Sequence, residues 1–190
     1  MRRQFRRYPN YEKEYRQCFG FVPDTPCGNR GDCQRKAELA FGRPSWHNGA
    51  RPCDDSLAKP HYTNQGIKET RALTVNIVDE AMLEKADRTG CVSGNKTDKS
   101  EMFAYHTEGT GAPVIDEAPV VMDCVVDDIY DTEGFESFIC KIDGVYAEEN
   151  VLNEAGKIDY HTLKPVLFEM PTYEYLRTGD VIGKCMNLSK

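Results

Sequence analysis

The chain has 190 residues, with 24 Lys and Arg against 31 Asp and Glu, a net charge of −7. That length suits one domain with or without an appendage, and the acidic balance argues against general affinity for nucleic acid. No apolar run is long enough to cross a bilayer, so no membrane partner is expected, and eight cysteines at irregular spacing do not read as a disulfide framework.

The charge is unevenly spread. Residues 1–60 carry 12 Lys and Arg against 7 Asp and Glu, a balance of +5, whereas residues 61–190 carry 12 against 24, a balance of −12. The first stretch has no isoleucine, one valine (Val22), two leucines (Leu39 and Leu57), nine arginines and four cysteines. A composition so poor in aliphatic residues supplies little core. A seam near His61 is therefore expected, with a non-matching, disordered or frame-shifted segment over 1–60 and a folded domain over 61–190. Arg2-Arg3-Gln4-Phe5 has the look of a twin-arginine signal, but no apolar segment follows it, so a cytoplasmic protein with reduced thiols is expected. Cys18, Cys27, Cys33 and Cys53 are separated by eight, five and nineteen residues. Without a close pair they make a poor zinc set, even with His47 and His61 nearby.

From Arg71 the signals become regular. Ala72–Val78 is a short β-rich run that fits a buried strand. Asp79 is placed to cap a helix over roughly 80–88, whose apolar side is Ala81, Met82, Leu83 and Ala86. Gly90–Lys96 breaks it as a loop, and a second short helix is predicted over Ser100–Tyr105. Two long β-rich runs follow, Ala118–Tyr130 and Phe135–Tyr146, joined by Asp131-Thr132-Glu133-Gly134, which predicts an antiparallel hairpin. Asn153–Gly156 marks another turn, Lys164–Met170 a later strand, and Gly179–Gly183 a tight closing segment. Mostly strands with a few short helices points to a barrel closed on itself.

These residues also resemble a known family. Tyr62–Thr70, then Leu73–Ile77, Gly90–Gly94 with Asp98-Lys99, Ala112–Val126, Gly156–Tyr160 and Leu163–Pro165, with a tail of Tyr173, Tyr175, Leu176, Gly179, Ile182 and Gly183, match in order and spacing the flavin reductase-like family, and within it the flavoredoxin-type branch. The match covers about two-thirds of the chain. The resemblance implies a mainly β fold, the FMN-binding split barrel, with FMN as cofactor at the interface of a homodimer. It implies that Tyr62 and Thr63 lie where the FMN phosphate is held, that Asn76 faces the flavin, and that Ser93, Gly94 and Lys99 belong to a loop closing over the cofactor. The flavin carries the hydride or electrons, so no dedicated catalytic acid–base pair is expected.

Each of these residues has a plainer reading. Lys99 reads equally as a solvated helix-start lysine, Asn76 as a partner of backbone groups, and Ser93-Gly94 as a turn. Cys91 reads as a small loop residue, and Cys124 and Cys140 as core. His106 and His161 read as surface residues without metal spacing, and Tyr173 and Tyr175 as packing residues.

The family's barrel begins with apolar strands that residues 1–60 do not spell, so the barrel is expected to be incomplete. A shifted reading frame accounts for the gap. In the +1 frame the codons of Cys53-Asp54-Asp55-Ser56 can encode Val-Met-Ile, Trp46 before His47 forces Gly, and Tyr11 before Glu12 permits a start codon. A genuine divergent extension is the alternative. Translated as written, a barrel without its first strands would expose sheet edges and bind FMN weakly or not at all.

Three functions remain open on the sequence: an FMN-dependent reductase fed by NAD(P)H or a protein electron donor, a non-enzymatic flavoredoxin-type electron carrier, and a Cys/Arg-rich metal or nucleic-acid arm on a β domain.

Overall fold

The structure, a computed structural model, describes residues 52–169, 171–184 and 187–188, together with the backbone of 5–7, 20–23, 39–41 and 43–45; side chains are described from Ser56 onward. In chain order the strands before the seam are β1 (Phe5–Arg7), β2 (Gly20–Pro23), β3 (Leu39–Phe41), β4 (Arg43–Ser45) and β5 (Pro52–Ala58). After it come α1 (Thr63–Thr70), β6 (Ala72–Ile77), α2 (Leu83–Gly90), β7 (Tyr105–Thr107), β8 (Pro113–Ile115), β9 (Val120–Asp131) and β10 (Phe135–Glu148). A 3-10 turn at Glu149–Val151, α3 (Tyr160–Leu163), β11 (Val166–Glu169) and β12 (Glu174–Arg177) complete the described elements.

The β9–β10 hairpin is the spine of the fold. Thr132 N donates to the Phe135 carbonyl at 2.9 Å to close its turn. Alternation decides which face is buried: Phe138 and Cys140 of β10 are 0% and 1% exposed, while Phe135 and Lys141 lie outside. Register shifts at Ile139/Cys140 and Ile142/Gly144 bend β10, so that β5 pairs with its first half and β1 with its last residues. The full path is β3-β2-β6-β9-β10-β5-β4. Its two end strands, β3 and β4, are one residue apart in the chain, so the sheet returns on itself as a barrel.

The expectation that the first strands are missing is corrected here. Among the described residues five strands lie ahead of His61, and β2 and β5 hydrogen-bond to the edges of β6 and β10. Ladder bonds are made by backbone groups that every non-proline residue carries, so an edge presented by β6 or β10 can be paired by a chain of unpromising composition. Among the described side chains of β5, Leu57 is the anchor, 1% exposed in the main core. The candidate ligands Cys18, Cys27, Cys33 and His47 lie outside the described residues, as does the side chain of Cys53.

β6 is buried at every position, as expected of a continuous β-rich run between two other strands. Its core joins Leu57, Ile67, Leu73, Val75 and Ile77 to Met122, Cys124, Phe138 and Cys140. A second cluster, with Val78, Met82, Ala86, Phe103, Val114 and Ile115, seats α2 and the β7–β8 hairpin. Asp79 does not cap α2: its Oδ1 accepts from Met82 N at 3.0 Å and closes the turn before the helix, which starts at Leu83, three residues later than expected, with Met82 at its cap position and no side-chain cap bond. The helix predicted over 100–105 is absent. Ser100 N instead donates to Asp98 Oδ1, Met102 N donates to the Lys99 carbonyl, and Phe103 drops into the second core while Tyr105 starts β7. Burial of one phenylalanine and a strand partner outweigh the weak propensity of so short a helix. The tight closing segment predicted at 179–183 is also corrected: no regular element is formed there, and Ile182 is 97% exposed.

Candidate functional site

Nothing in the periodicity of 63–70 announces α1, because Ile67 is the sole apolar residue in Thr-Asn-Gln-Gly-Ile-Lys-Glu-Thr. The helix forms where the chain leaves β5. Lys59 N is held by the Gly134 carbonyl at 3.1 Å, His61 N by the Ala58 carbonyl at 3.0 Å, and Asn64 N by the His61 carbonyl at 3.3 Å. Arg71, at φ 55, ends the helix with its N–H on the Ile67 carbonyl.

The first turn is unusual for a helix start. Tyr62 occupies the cap position in a helical conformation and makes no side-chain cap bond, and no acidic residue stands in that turn. The positive end of the helix dipole is thus left without a side-chain anion of its own. Thr63 and Asn64 are each 1% exposed, and Asn64 Oδ1 is buried with no hydrogen-bond partner. A buried acceptor left over in this way calls for a donor. A phosphate ester on a polyhydroxylated chain meets both needs, its phosphate resting at the positive end of the helix beside the Thr63 hydroxyl and a chain hydroxyl serving Asn64 Oδ1. By that test the residues present fit the phosphate and ribityl end of FMN.

The loop after α2 comes to the same place. Asn95 Nδ2 donates to the Pro60 carbonyl at 3.0 Å, two residues ahead of Tyr62. The Ser93 carbonyl accepts from Lys96 N and Thr97 N at 2.9 and 3.0 Å, turning the loop. Ser93 is exposed and Gly94 half-buried, whereas Lys99 is 6% exposed. A lysine so deeply placed is not a solvated surface residue, and its ammonium is a natural counter-charge for an anion. Asn76 bonds within the sheet. Its Oδ1 accepts from Ile115 N and its Nδ2 donates to Thr74 Oγ1, both at 3.0 Å, so the amide knits β6 to β8.

Sequence reasoning missed a three-residue contact made by Glu136, Asn64 and Lys68. Glu136, 9% exposed at the start of β10, accepts from Asn64 Nδ2 at 2.7 Å and from Lys68 Nζ at 2.8 Å. The spacing of Asn64 and Lys68 is visible on a helix, but their partner is 72 and 68 residues away, and no local signal joins them.

The other noted side chains behave as packing or surface groups. Cys124 and Cys140 are core, and Cys91 is exposed at the end of α2. Tyr173 and Tyr175 both pack on Phe168, with ring centroids 6.0 and 5.2 Å apart. Burial and the Asp87 carboxylate that accepts its hydroxyl push the Tyr175 phenol well above its ordinary value, keeping it neutral. His106 Nδ1 lies 2.5 Å from Asp116 Oδ1, and His161 is exposed.

A bent, barrel-like sheet with a buried, uncapped helix start beside it defines a small, mainly β protein. The chain belongs to the flavin reductase like domain family, whose model matches residues 56–176, well over half of its length. Among solved structures it is similar to a flavoredoxin from Methanosarcina acetivorans, at 27% identity and TM-score 0.79 over 96% of each chain. It is also similar to a flavoredoxin of Desulfovibrio vulgaris (Miyazaki F), at 23% identity and TM-score 0.78 over 96% of this chain and 97% of that one. A third is an FMN-binding protein from Thermus thermophilus, at 14% identity and TM-score 0.70 over 93% of this chain and 95% of the other, a likeness of fold alone. No curated protein sequence matches the chain. The resemblance read from the sequence and the split-barrel fold it implied are both met. The matched region begins at residue 56, five residues ahead of the seam.

Proposed function

We propose that this chain is an FMN-binding oxidoreductase of the flavin reductase type. The observation that carries the reading is the start of α1, where buried Thr63 and Asn64 follow an uncapped Tyr62 in a chain of this family. Tyr62 and Thr63 at the positive end of α1 hold the phosphate, Asn64 Oδ1 takes a ribityl hydroxyl, and Lys99 supplies positive charge from the loop that Asn95 ties to Pro60. Ser93 and Gly94 sit on that loop and limit access of water. Bound flavin supplies hydride and single-electron chemistry, so the protein's part is to bind, orient and shield it. Reducing equivalents come from NAD(P)H or a protein donor. A purified chain that is yellow, with flavin released on denaturation, supports the reading; a colourless chain that takes up no added FMN overturns it.

A flavoredoxin-type electron carrier is the second reading, favoured by the two flavoredoxins among the similar structures. NAD(P)H oxidation by the loaded protein with free flavin as acceptor separates the two: turnover marks a reductase, and its absence alongside protein-to-protein electron transfer marks a carrier. Assembly as a homodimer is part of the proposal. Exposed Tyr173, Leu176, Val181 and Ile182 give the chain an apolar surface suited to a second copy. Sedimentation at the mass of one chain overturns that part.

We further propose that the residues ahead of the seam are read in a shifted frame. The family match begins only at residue 56, and Cys53-Asp54-Asp55 form a strand between β4 and β10, opposite Ile139 and Phe138, where aspartate is a poor strand former. A stop codon in the +1 frame between codons 12 and 61 of the gene overturns this.

A further inference from the structure

α1 cannot be positioned by hydrophobic burial alone. Of its buried residues, Thr63, Asn64, Gly66 and Ile67, the last is the sole large apolar side chain. A helix of eight residues has no stability of its own, so its rotation and the place of its first turn depend on specific contacts. Those contacts converge on one carboxylate. Glu136 pairs in register with Leu57 of β5 and Asp131 of β9, so it is flanked by a strand on each side at the start of β10. Its Oε2 accepts from Asn64 Nδ2 and its Oε1 from Lys68 Nζ. Asn64 and Lys68 are four residues apart and therefore share a face of α1. Asn64 Nδ2 also reaches the Ala58 carbonyl at 3.3 Å, adding the end of β5 to the same clamp. A carboxylate repels a phosphate, so any service Glu136 gives to a phosphorylated ligand is indirect.

We propose that Glu136 is a positioning residue for the flavin phosphate. It grips α1 through Asn64 and Lys68 and so sets the orientation in which Tyr62, Thr63 and the positive end of the helix meet that phosphate. This rests on the FMN-binding reading above. Loosening the clamp leaves Ile67 in the core but frees α1 to turn about it. The penalty then falls on the phosphate and spares the ring system, which α1 does not hold.

The test uses the full chain and two ligands, FMN and riboflavin, which lacks the phosphate. Glu136→Gln keeps an acceptor for Asn64 but sets an amide against the Lys68 ammonium. With charge-assisted bonds lost, FMN affinity is expected to fall about tenfold while riboflavin affinity changes less than about twofold. Lys68→Met should give a smaller loss with the same selectivity, and the double variant should be no worse than Glu136→Gln alone. Should Glu136→Gln fail to fold, Lys68→Met carries the same comparison, because the Lys68 side chain is 44% exposed. Equal losses for both ligands with a parallel drop in melting temperature would mean an ordinary structural role and overturn the proposal. Unchanged FMN affinity in both variants overturns it too. A wild-type chain that binds FMN no better than riboflavin instead sinks the phosphate site at α1, a failure visible before any variant is made.

Discussion

Asn95 donates its side-chain amide to the Pro60 carbonyl, and that single bond sets the loop after α2 against the turn that leads into α1. Two stretches 35 residues apart are thereby made into one site. Asn95→Ala should cost about 0.5–1.5 kcal/mol of loop placement, the worth of one neutral hydrogen bond, and lower FMN affinity about three- to tenfold. The loop touches little core, so the melting temperature should hardly move. A melting change with unaltered FMN affinity would show that the loop braces the fold without covering the ligand.

Thr63→Val tests the phosphate contact directly. The two side chains have nearly the same shape, so the buried position stays filled while the hydroxyl is lost. A hydrogen bond to a charged group is worth about 1.5–3 kcal/mol, which predicts a fall in FMN affinity of roughly one to two orders of magnitude and none for riboflavin. Parallel titrations of flavin fluorescence decide it.

What was legible in the sequence was what local chemistry encodes. Val120 to Val126 and Phe138 to Cys140 alternate or run apolar as strands do, and the Thr132 turn between them left one natural pairing. Asp79 announced the turn that leads into α2, because such a bond needs only the next three residues, while the helix itself begins later, at Leu83. α1 was illegible because one isoleucine carries its apolar side and the rest of its seat is Glu136, far away in sequence. The residues over 100–105 misled for the opposite reason: a local helical pattern was overruled by burial of Phe103. The early strands were hidden because backbone pairing with β6 and β10 leaves no mark on side-chain composition. Of the residues in the proposed site, Tyr62, Thr63, Ser93, Gly94 and Lys99 came from the family resemblance, while Asn64 and Glu136 emerged only from contacts in three dimensions.

Phe138 is the largest fully buried side chain of β10 and lies among Leu57, Ile67 and Met122 in the main core. Phe138→Ala should cost about 3–5 kcal/mol through lost transfer energy and the cavity left behind. Tyr130, on the same hairpin but 66% exposed, should tolerate alanine with a change within about 0.5 kcal/mol. Urea midpoints of the two variants give the comparison, and similar midpoints would mean that the hairpin's inner face is not the core.

Asp123 supplies a pH signature. It lies fully buried in β9 opposite Gly144 of β10 and Thr74 of β6, and its carboxylate accepts from both the N–H and the hydroxyl of Thr110. The loop it holds passes so close that a Cβ on Gly109, at φ +37, would stand 2.1 Å from Asp123 Oδ2. Burial raises its pKa above the ordinary 3.8, and Asp143 adds to the effect, while the Thr110 bonds pull the other way without cancelling it. The folded state therefore holds this proton more tightly than the unfolded state does. Its contribution to stability is fully present below the unfolded value and is lost as pH rises through the folded one. Asp123→Asn keeps an acceptor for Thr110 N and gives a donor to the Thr110 hydroxyl, with no charge to desolvate. At neutral pH the variant should be at least as stable as the wild type. It should also lack the component of declining stability that begins near the unfolded carboxylate value and runs upward to the raised one. Urea unfolding at intervals between about pH 4 and pH 7 reads the difference. Parallel stability curves for the two proteins across that range would mean that Asp123 titrates as an ordinary exposed carboxylate.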